Sequence, residues 1–432
     1  MELFAGGFML KEMKNFRFYN RLLKFVNNKK YQPKSFKVNS NYYSTYILNE
    51  LTDNQLKIWI RNVFSYDIKC NDKYYVPIQL EDIPRKKMLK WTCYNIYFKS
   101  MWQLTKGQIL KGERVLQKIE DKLCTKFSEN DNPLIYFLKF GNNKIECTYR
   151  PLCLINLFNG LRDICYLSLI LLNFKRYKLK EENIVYYHYY NKNNRKTVVF
   201  IHGFGFGIEP YLYYILRLKK NYNLIVFVLP NISNMEYDTN IYHITHNSIF
   251  PEYDTWRDVM RQIIIKHNLN SINFIAHSFG TVILSLFLKD PIIKSKIDKK
   301  VFIEPVCFID KSYKIYRYIN EPQLGSYGYI SKVFNLIIYK DIYLRYISQR
   351  FIYGPEFWIT DYQELNGNSL VILSEKDQVV PTDELYEKMI KNNIEVICLK
   401  DGYHADMFMS SKYDSVFDKI NEFINQEDIL LL

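Results

Sequence analysis

A serine, an aspartate and a histidine each follow a β-rich run in this 432-residue sequence. Ser278 lies in the segment AHSFG, between the apolar run INFI and the apolar stretch TVILSLFL. A small residue, any residue, Ser, any residue and Gly between a strand and a helix are typical of a nucleophile elbow. Ala276 stands where the stricter motif has glycine, and Gly280 keeps the second small position. The sequence therefore predicts Ser278 as a nucleophile.

The other two residues follow Ser278 in the order that α/β-hydrolase triads use. Asp377 comes after the apolar run LVIL, in SEKDQVVP, and His404 comes after EVICL, in KDGYHAD. In such a triad, the histidine takes the serine proton and the aspartate orients the imidazole and stabilises its charged form. We therefore predict Ser278, Asp377 and His404 as catalytic residues.

A second carboxylate offers an alternative acid. Glu304 ends the run VFIE, directly before Pro305, at the end of the strand after the elbow. It could equally shape the turn at that proline, so its role stays open. His277, next to the serine, is expected to pack or to form a hydrogen bond.

Glycines upstream of the elbow indicate an oxyanion hole. The run TVVFI leads into His202, Gly203, Phe204 and Gly205. The backbone N–H groups of Phe204 and Phe279 are the predicted donors to an oxyanion. A nucleotide-binding loop is the alternative, but the spacing is G-x-G-x-G and no Walker lysine follows.

Metal and cofactor signals are weak. The cysteines form no CxxC pair and none lies near a histidine at ligand spacing, so no metal site and no cofactor are predicted. Scattered cysteines also favour a reduced, intracellular protein, either cytoplasmic or peripheral on a membrane.

Strand and helix patterns alternate in the second part of the chain, which predicts an α/β fold with a mainly parallel sheet. The interval 307–361 breaks this rhythm and is predicted to be a cap insertion. Residues 1–140 are predicted to form a mainly helical N-terminal extension, and 141–432 the hydrolase domain. The expected strands are 184–190, 197–201, 224–228, 272–276, 301–304, 370–373 and 396–399, with helices at 256–267 and 281–288.

These residues resemble a mostly uncharacterised eukaryotic, especially fungal, group of α/β-hydrolase-fold proteins. The segments FIHGFGFGIEPY, FIAHSFGTV, FIEPV and LVILSEKDQVV carry the resemblance, which covers about 145–410 well. It implies the same triad and the same oxyanion-hole residues, and it implies no substrate.

Charge and hydropathy raise the question of a membrane partner. The formal net charge is +14, which favours anionic partners. Heavy use of Lys, Asn, Tyr and Ile indicates coding bias, so nucleic-acid binding is not expected. The apolar stretch 153–174 precedes Lys175, Arg176 and Lys178, a pattern compatible with peripheral membrane contact through about 152–180, although globular cores use such helices routinely. The alternative is a helix that only packs on the main domain.

These observations favour a serine hydrolase that cleaves an ester or thioester of a small molecule or a lipid through an acyl-enzyme. A lipase-like carboxylic ester hydrolase fits best. An acyltransferase on the same triad and a catalytically silent hydrolase-fold scaffold are the alternatives.

Overall fold

A computed structural model describes residues 2–28, 51–66, 78–97, 99–137, 145, 147–179, 184–205, 207–232, 249–308, 340–351, 357–359, 361–365 and 367–426. The chain divides into two compact units. The larger unit comprises Met1–Asn28 and Ile145–Leu432, and the smaller one comprises Lys29–Lys144.

The smaller unit is mainly helical. Its elements are α2 (Asp53–Val63), β1 (Phe64–Tyr66), α3 (Arg85–Tyr97), α4 (Lys106–Leu123) and β2 (Ile135–Phe137). Strands β1 and β2 pair in antiparallel fashion. The indole rings of Trp59 and Trp91 pack edge to face at 5.3 Å within its core.

The larger unit is built on a sheet. Its strands are β3 (Lys175–Leu179), β4 (Ile184–Tyr189), β5 (Thr197–Ile201), β6 (Asn223–Val228), β7 (Ile272–His277), β8 (Ile297–Ile303), β9 (Ser369–Ser374) and β10 (Glu395–Leu399). Its helices are α1 (Glu2–Asn28), α5 (Leu152–Leu171), α6 (Leu212–Lys219), α7 (Tyr253–Lys266), α8 (Gly280–Leu288), α9 (Pro291–Lys294), α10 (Ile342–Arg350), α11 (Thr382–Lys391), α12 (Asp406–Met409) and α13 (Asp414–Asn425).

The strand order of this sheet is β10-β9-β8-β7-β5-β6-β4-β3. Strand β4 runs antiparallel to both of its neighbours, and the pairs from β6 to β10 are parallel. Parallel pairs need crossover connections, and helices such as α7 and α8 supply them. This arrangement is the α/β-hydrolase fold, which confirms the predicted fold class.

Burial explains why the central strands were predictable. Every residue of β6, β7 and β9 is buried, as expected for strands that are covered on both faces. Strand β3 was not among the expected strands, because its residues read as a basic cluster after an apolar helix. In the structure it pairs with β4, and among the described strands β4 is its one neighbour, at the end of the sheet. Exposed lysines are common on such edges, where they discourage pairing with other chains.

The predicted division of the chain at residues 140 and 141 does not coincide with the compact units. Helix α1 belongs to the larger unit, where the Glu12 carboxylate accepts hydrogen bonds from the Tyr149 hydroxyl and the Leu152 N–H. Because those partners are distant in sequence, local patterns could not assign the helix. Most of the predicted cap at 307–361 lies outside the described residues, and helix α10 is its longest described part.

Candidate active site

The serine of the elbow lies at the tip of a sharp strand-to-helix turn. Strand β7 ends at His277, and helix α8 begins at Gly280. Ser278 has a φ of 49°, a left-handed conformation that is uncommon for residues other than glycine. Its backbone N–H donates to the Ile303 carbonyl at 2.9 Å, which ties the turn to β8. Strained backbone of this kind is concentrated at functional sites.

Close backbone approach explains the small residue after the serine. A Cβ atom added at Gly280 would lie 2.3 Å from the Ile201 carbonyl oxygen and 2.8 Å from that of His202. Both are backbone atoms, at the last residue of β5 and the first residue after it, so neither can move aside like a side chain.

We expect Gly280→Ala to lower the free energy of unfolding by about 1–3 kcal/mol, because the new methyl group overpacks this contact. Urea denaturation followed by circular dichroism measures the effect. Gly160→Ala is the matched control, because nothing lies within 4 Å of its Cβ position in α5. That helical substitution should raise the free energy of unfolding by about 0.5–1 kcal/mol. Equal stability of both variants would contradict the expectation.

Three predicted residues come together at the carboxyl ends of the strands. The Ser278 Oγ lies 2.9 Å from Nε2 of His404, and Nδ1 of the same ring lies 2.8 Å from Oδ2 of Asp377. The serine is 6% exposed and the histidine side chain 20%, so the protein covers most of both groups.

The loops after β9 and β10 hold the acid and the base. Asp377 Oδ1 accepts the N–H groups of Val379 and Val380 at 2.7 and 2.9 Å, which leaves Oδ2 for the histidine. The Lys376 N–H donates to the Gly402 carbonyl at 2.8 Å and links the two loops. The Asp377 side chain is completely buried.

Carboxylates dominate the electrostatics of the histidine. Burial alone would lower the pKa of His404, but the nearby anions of Asp377 and Glu304 raise it to about 9. Opposite charges at hydrogen-bond distance favour the protonated ring. The ring is therefore a strong proton acceptor.

Glu304, the predicted alternative acid, lies beside the histidine but contacts it less closely than Asp377 does. Its Oε2 is 3.5 Å from Nδ1 of His404, against 2.8 Å for the Asp377 oxygen. The Glu304 carboxylate accepts the Ala405 N–H at 2.6 Å and is hydrogen-bonded to the Ser374 hydroxyl. It is completely buried and has a φ of 46°. Asp377 is thus the better-placed acid, and Glu304 is a second anion at the same ring.

His277 and Tyr211 form a polar chain behind the serine. His277 Nε2 lies 2.9 Å from Glu304 Oε2, and its Nδ1 lies 2.7 Å from the Tyr211 hydroxyl. The expectation that His277 forms a hydrogen bond agrees with these contacts. Tyr211 was not singled out from the sequence, because one tyrosine among 38 carries no local signal.

The two residues predicted as oxyanion donors contact each other. Phe279 follows Ser278, and the Phe204 and Phe279 rings pack at 5.7 Å. Within the described part of the chain, no acceptor pairs with the backbone N–H of either residue. Gly205 has a φ of 107°, and its N–H donates to the Ile232 carbonyl, which fixes the loop. Gly203 leaves room for the polar chain, since a Cβ there would lie 2.6 Å from His277 Nδ1.

Side chains of His277, Glu304 and His404 also lie close enough to one another to hold a cation. Each of these side chains already takes part in hydrogen bonds within the protein. His404 Nε2 faces the serine, and both nitrogens of His277 are paired. A hydrogen-bonded network therefore accounts for the cluster.

Several solved structures are similar to part of this chain, and three of them are esterases. A carboxylesterase of Nitrososphaera gargenis is 16% identical with a TM-score of 0.41, over 58% of this chain and 99% of its own. Carboxylesterase CesB of Bacillus subtilis is 16% identical with a TM-score of 0.45, and the match covers 63% of this chain and 98% of that one. Naproxen esterase of the same organism is 14% identical with a TM-score of 0.43, and the match covers 62% of this chain and 97% of that one. Neither the family models nor the curated proteins compared with the sequence gave a match.

Proposed function

We propose that this protein is a serine hydrolase that cleaves a carboxylic ester or thioester. The observation that carries the proposal is the hydrogen-bonded series of Ser278, His404 and Asp377, with the serine in a strained turn. Each group lies at the carboxyl end of a different strand, where α/β folds assemble their sites.

The proposed reaction has two stages. Ser278 Oγ attacks the substrate carbonyl carbon while Nε2 of His404 takes the hydroxyl proton. The N–H groups of Phe204 and Phe279 would stabilise the oxyanion. The tetrahedral intermediate then expels the alcohol or thiol, which receives that proton, and an acyl-enzyme remains. Water attacks the acyl-enzyme in the same way and releases the acid.

Aromatic packing beside the serine supports an apolar acyl group. The Phe250 ring packs edge to face with Phe279 at 5.8 Å and with Phe351 at 5.5 Å. Phe279 is the residue next to Ser278, so these buried rings give the serine an apolar surrounding on one side. Apolar walls with a few placed polar groups are typical of small-molecule sites.

Labelling with a fluorophosphonate tests the proposal directly, since only an activated serine reacts with it at a useful rate. We expect one covalent adduct, and mass spectrometry should locate it on the peptide that contains Ser278. Ser285→Ala, which removes a buried serine of the helix α8 that follows Ser278, should label like the wild type. Folded wild-type protein that does not react would overturn the proposal and favour the silent scaffold. Product analysis with added alcohols separates hydrolysis from acyl transfer.

We also propose that the protein works at an anionic membrane surface through helix α5. In the described residues this is the helix that is long and apolar enough to cross a bilayer. Its exposed apolar residues recur every three to four positions, which forms one stripe along the helix. They are Leu157, Leu161, Ile164, Leu167, Ile170 and Leu171.

The other face of α5 favours an interfacial position over a spanning one. Cys165 and Leu169 are buried in the core of the larger unit, so one side of the helix is already covered by protein. Arg162 and Asp163 also pair in its middle, which would be costly inside a bilayer. A helix with one covered and one exposed face lies along a membrane surface.

Positive charge on the adjoining strand complements anionic lipid. Arg176 and Lys178 of β3 are exposed and alternate with Tyr177, so they project from the same face of the sheet. Arg176 is opposite Tyr187, whose ring contacts Tyr166 of α5, which places these cations on the α5 side.

Vesicle co-sedimentation tests the membrane proposal. We expect Leu161→Glu/Ile164→Glu to abolish binding, because it places two anions in the apolar stripe. Lys178→Gln should weaken binding to vesicles of phosphatidylcholine and phosphatidylserine about fivefold, since each surface cation contributes about 1 kcal/mol. It should not affect binding to phosphatidylcholine alone. Ile265→Glu is the matched control, because Ile265 is 80% exposed on α7. Equal binding of all variants would count against this surface.

A further inference from the structure

We infer that Glu304 is a positioning residue for both halves of the proposed site. It supports the loop of His404 directly, and it supports the loop of Phe204 through His277 and Tyr211. This inference rests on the proposed function, because it concerns how the proposed base and oxyanion donors are held.

The chain of hydrogen bonds begins at the loop that carries the proposed oxyanion donor. The N–H of Gly203, the residue before Phe204, donates to the Tyr211 hydroxyl oxygen at 3.1 Å. That hydroxyl lies 2.7 Å from His277 Nδ1, and His277 Nε2 lies 2.9 Å from Glu304 Oε2. The chain therefore joins the carboxylate to the residue directly before the donor.

Because Glu304 is ionised, the donor and the acceptor of each hydrogen bond in this series can be assigned. A carboxylate can only accept, so the hydrogen of neutral His277 must lie on Nε2. Nδ1 is then an acceptor and takes the Tyr211 hydroxyl hydrogen, while the hydroxyl oxygen accepts the Gly203 N–H. Burial lowers the pKa of His277, which keeps the ring neutral. Burial opposes ionisation of Glu304, but the adjacent histidines and hydrogen bonds lower its pKa overall.

The same carboxylate also holds the base. Oε2 accepts the N–H of Ala405, the residue after His404, at 2.6 Å. Ala405 has a φ of 72°, so the chain there adopts a conformation that needs outside support. Without the carboxylate, the Ala405 N–H and His277 Nε2–H would both lose their acceptor in a buried place.

Several groups face His404 and bear on its titration. Asp377 contributes from the loop after β9, Glu304 from the end of β8, and His277 from the end of β7, with the two histidine rings 5.3 Å apart. On the loop of His404 itself, Asp401 pairs with Lys376, and Asp406 accepts the Tyr403 N–H. Glu304 is thus the second anion that acts on the ring.

The first test uses Tyr211→Phe, which removes one oxygen atom and breaks the chain. We expect kcat for p-nitrophenyl butyrate to fall about tenfold. Phenylboronic acid forms a tetrahedral adduct with an active serine, and its inhibition constant should rise by a similar factor. Full loss of one oxyanion donor costs about 10²–10³-fold, and a loosened donor should cost part of that. KM should stay nearly constant, since the chain does not touch the ground-state substrate.

Tyr214→Phe is the matched control, because Tyr214 is equally buried and its hydroxyl has no hydrogen-bond partner among the described residues. It should leave kcat and the inhibition constant unchanged. Equal kcat values and equal inhibition constants for Tyr211→Phe and Tyr214→Phe would overturn the inference that these hydrogen bonds support the loop of Phe204. A merely structural role for Tyr211 would lower stability without selective loss of boronate binding.

The second test uses Glu304→Gln and the pH profile of kcat/KM. Removal of one anion beside His404 should move the acid limb to lower pH, whereas Tyr211→Phe should leave its position unchanged. If the acid limb of the kcat/KM profile stays at the wild-type pH in a folded Glu304→Gln variant, the inference that Glu304 supports His404 is refuted. If that variant does not fold, the tyrosine pair still decides the inference. Failure of the proposed function is distinguishable, because the wild type would then not react with a fluorophosphonate.

Discussion

Ser278→Ala should lower kcat for p-nitrophenyl butyrate by about 10⁴-fold or more, because loss of a triad nucleophile removes the acyl-enzyme route. A stopped or continuous assay of p-nitrophenol release measures kcat. The residual rate of the variant gives the catalysis that remains when water attacks and only the oxyanion donors assist. Ser285→Ala, a substitution in the buried helix α8 that follows the turn, should retain the wild-type rate. A loss of less than tenfold in Ser278→Ala would exclude Ser278 as the nucleophile.

The same variant should remain folded. The hydrogen bond from residue 278 to the Ile303 carbonyl uses the backbone N–H, and alanine keeps it. Alanine also accepts the left-handed φ of 49° at about the same cost as serine. We therefore expect the urea midpoint to stay close to the wild-type value. This result would separate lost chemistry from lost structure.

Asp377→Asn should lower kcat/KM by about 10²–10³-fold, less than the roughly 10⁴-fold loss for the corresponding change in a triad with one acid. The asparagine oxygen can still accept the N–H groups of Val379 and Val380. Its NH₂ then faces Nδ1 of His404 and favours the tautomer with hydrogen on Nε2, which cannot take the serine proton. The second anion of Glu304 retains part of the stabilisation of the charged ring.

The direction in which Asp377→Asn shifts the pH dependence of kcat/KM can also be predicted. His404 must be neutral to accept the proton, so kcat/KM should rise with pH through the pKa of the ring. In the wild type the acid limb should therefore inflect above the ordinary histidine value of about 6.5, towards 9. Asp377→Asn removes one of the two anions that raise this pKa, so its limb should move to lower pH while the plateau falls.

Asp401→Asn serves as the control for the aspartate. Asp401 is exposed and pairs with Lys376. Its φ is 58°, which asparagine tolerates well, so the fold and the rate should persist. Comparable losses in Asp401→Asn and Asp377→Asn would argue against a specific role for Asp377. A combined Asp377→Asn/Glu304→Gln variant should lose more than Asp377→Asn alone.

The local sequence determined the fold class. Apolar runs predicted strands β5 to β10. The signal is strongest for β6, β7 and β9, because strands that are covered on both faces expose no polar side chain to water. The turn at Ser278 was predictable for a similar reason, since only small residues fit where strand and helix backbones pass. Ser278, Asp377 and His404 were likewise candidates from their positions after strands.

Other features depended on contacts between distant parts of the chain. Strand β3 was missed, because its exposed lysines carry no apolar signal at a sheet edge. Helix α1 joins the larger unit through Glu12, whose partners lie more than 130 residues away. Tyr211 and His277 gain their link only when the loop after β5 folds against the end of β7.

The choice between the two acids belongs to the tertiary structure as well. The sequence predicted Asp377 as the acid from the order of the triad and left Glu304, at the end of another strand, as the alternative. The packed loops after β9 and β10 bring Asp377 to hydrogen-bond distance of His404 and leave Glu304 slightly farther away. Residue type and spacing specify which groups can do the chemistry. Distances between them are set by how the loops after the strands meet at one edge of the sheet, where Glu304 and Asp377 come together although 73 positions separate them in the chain.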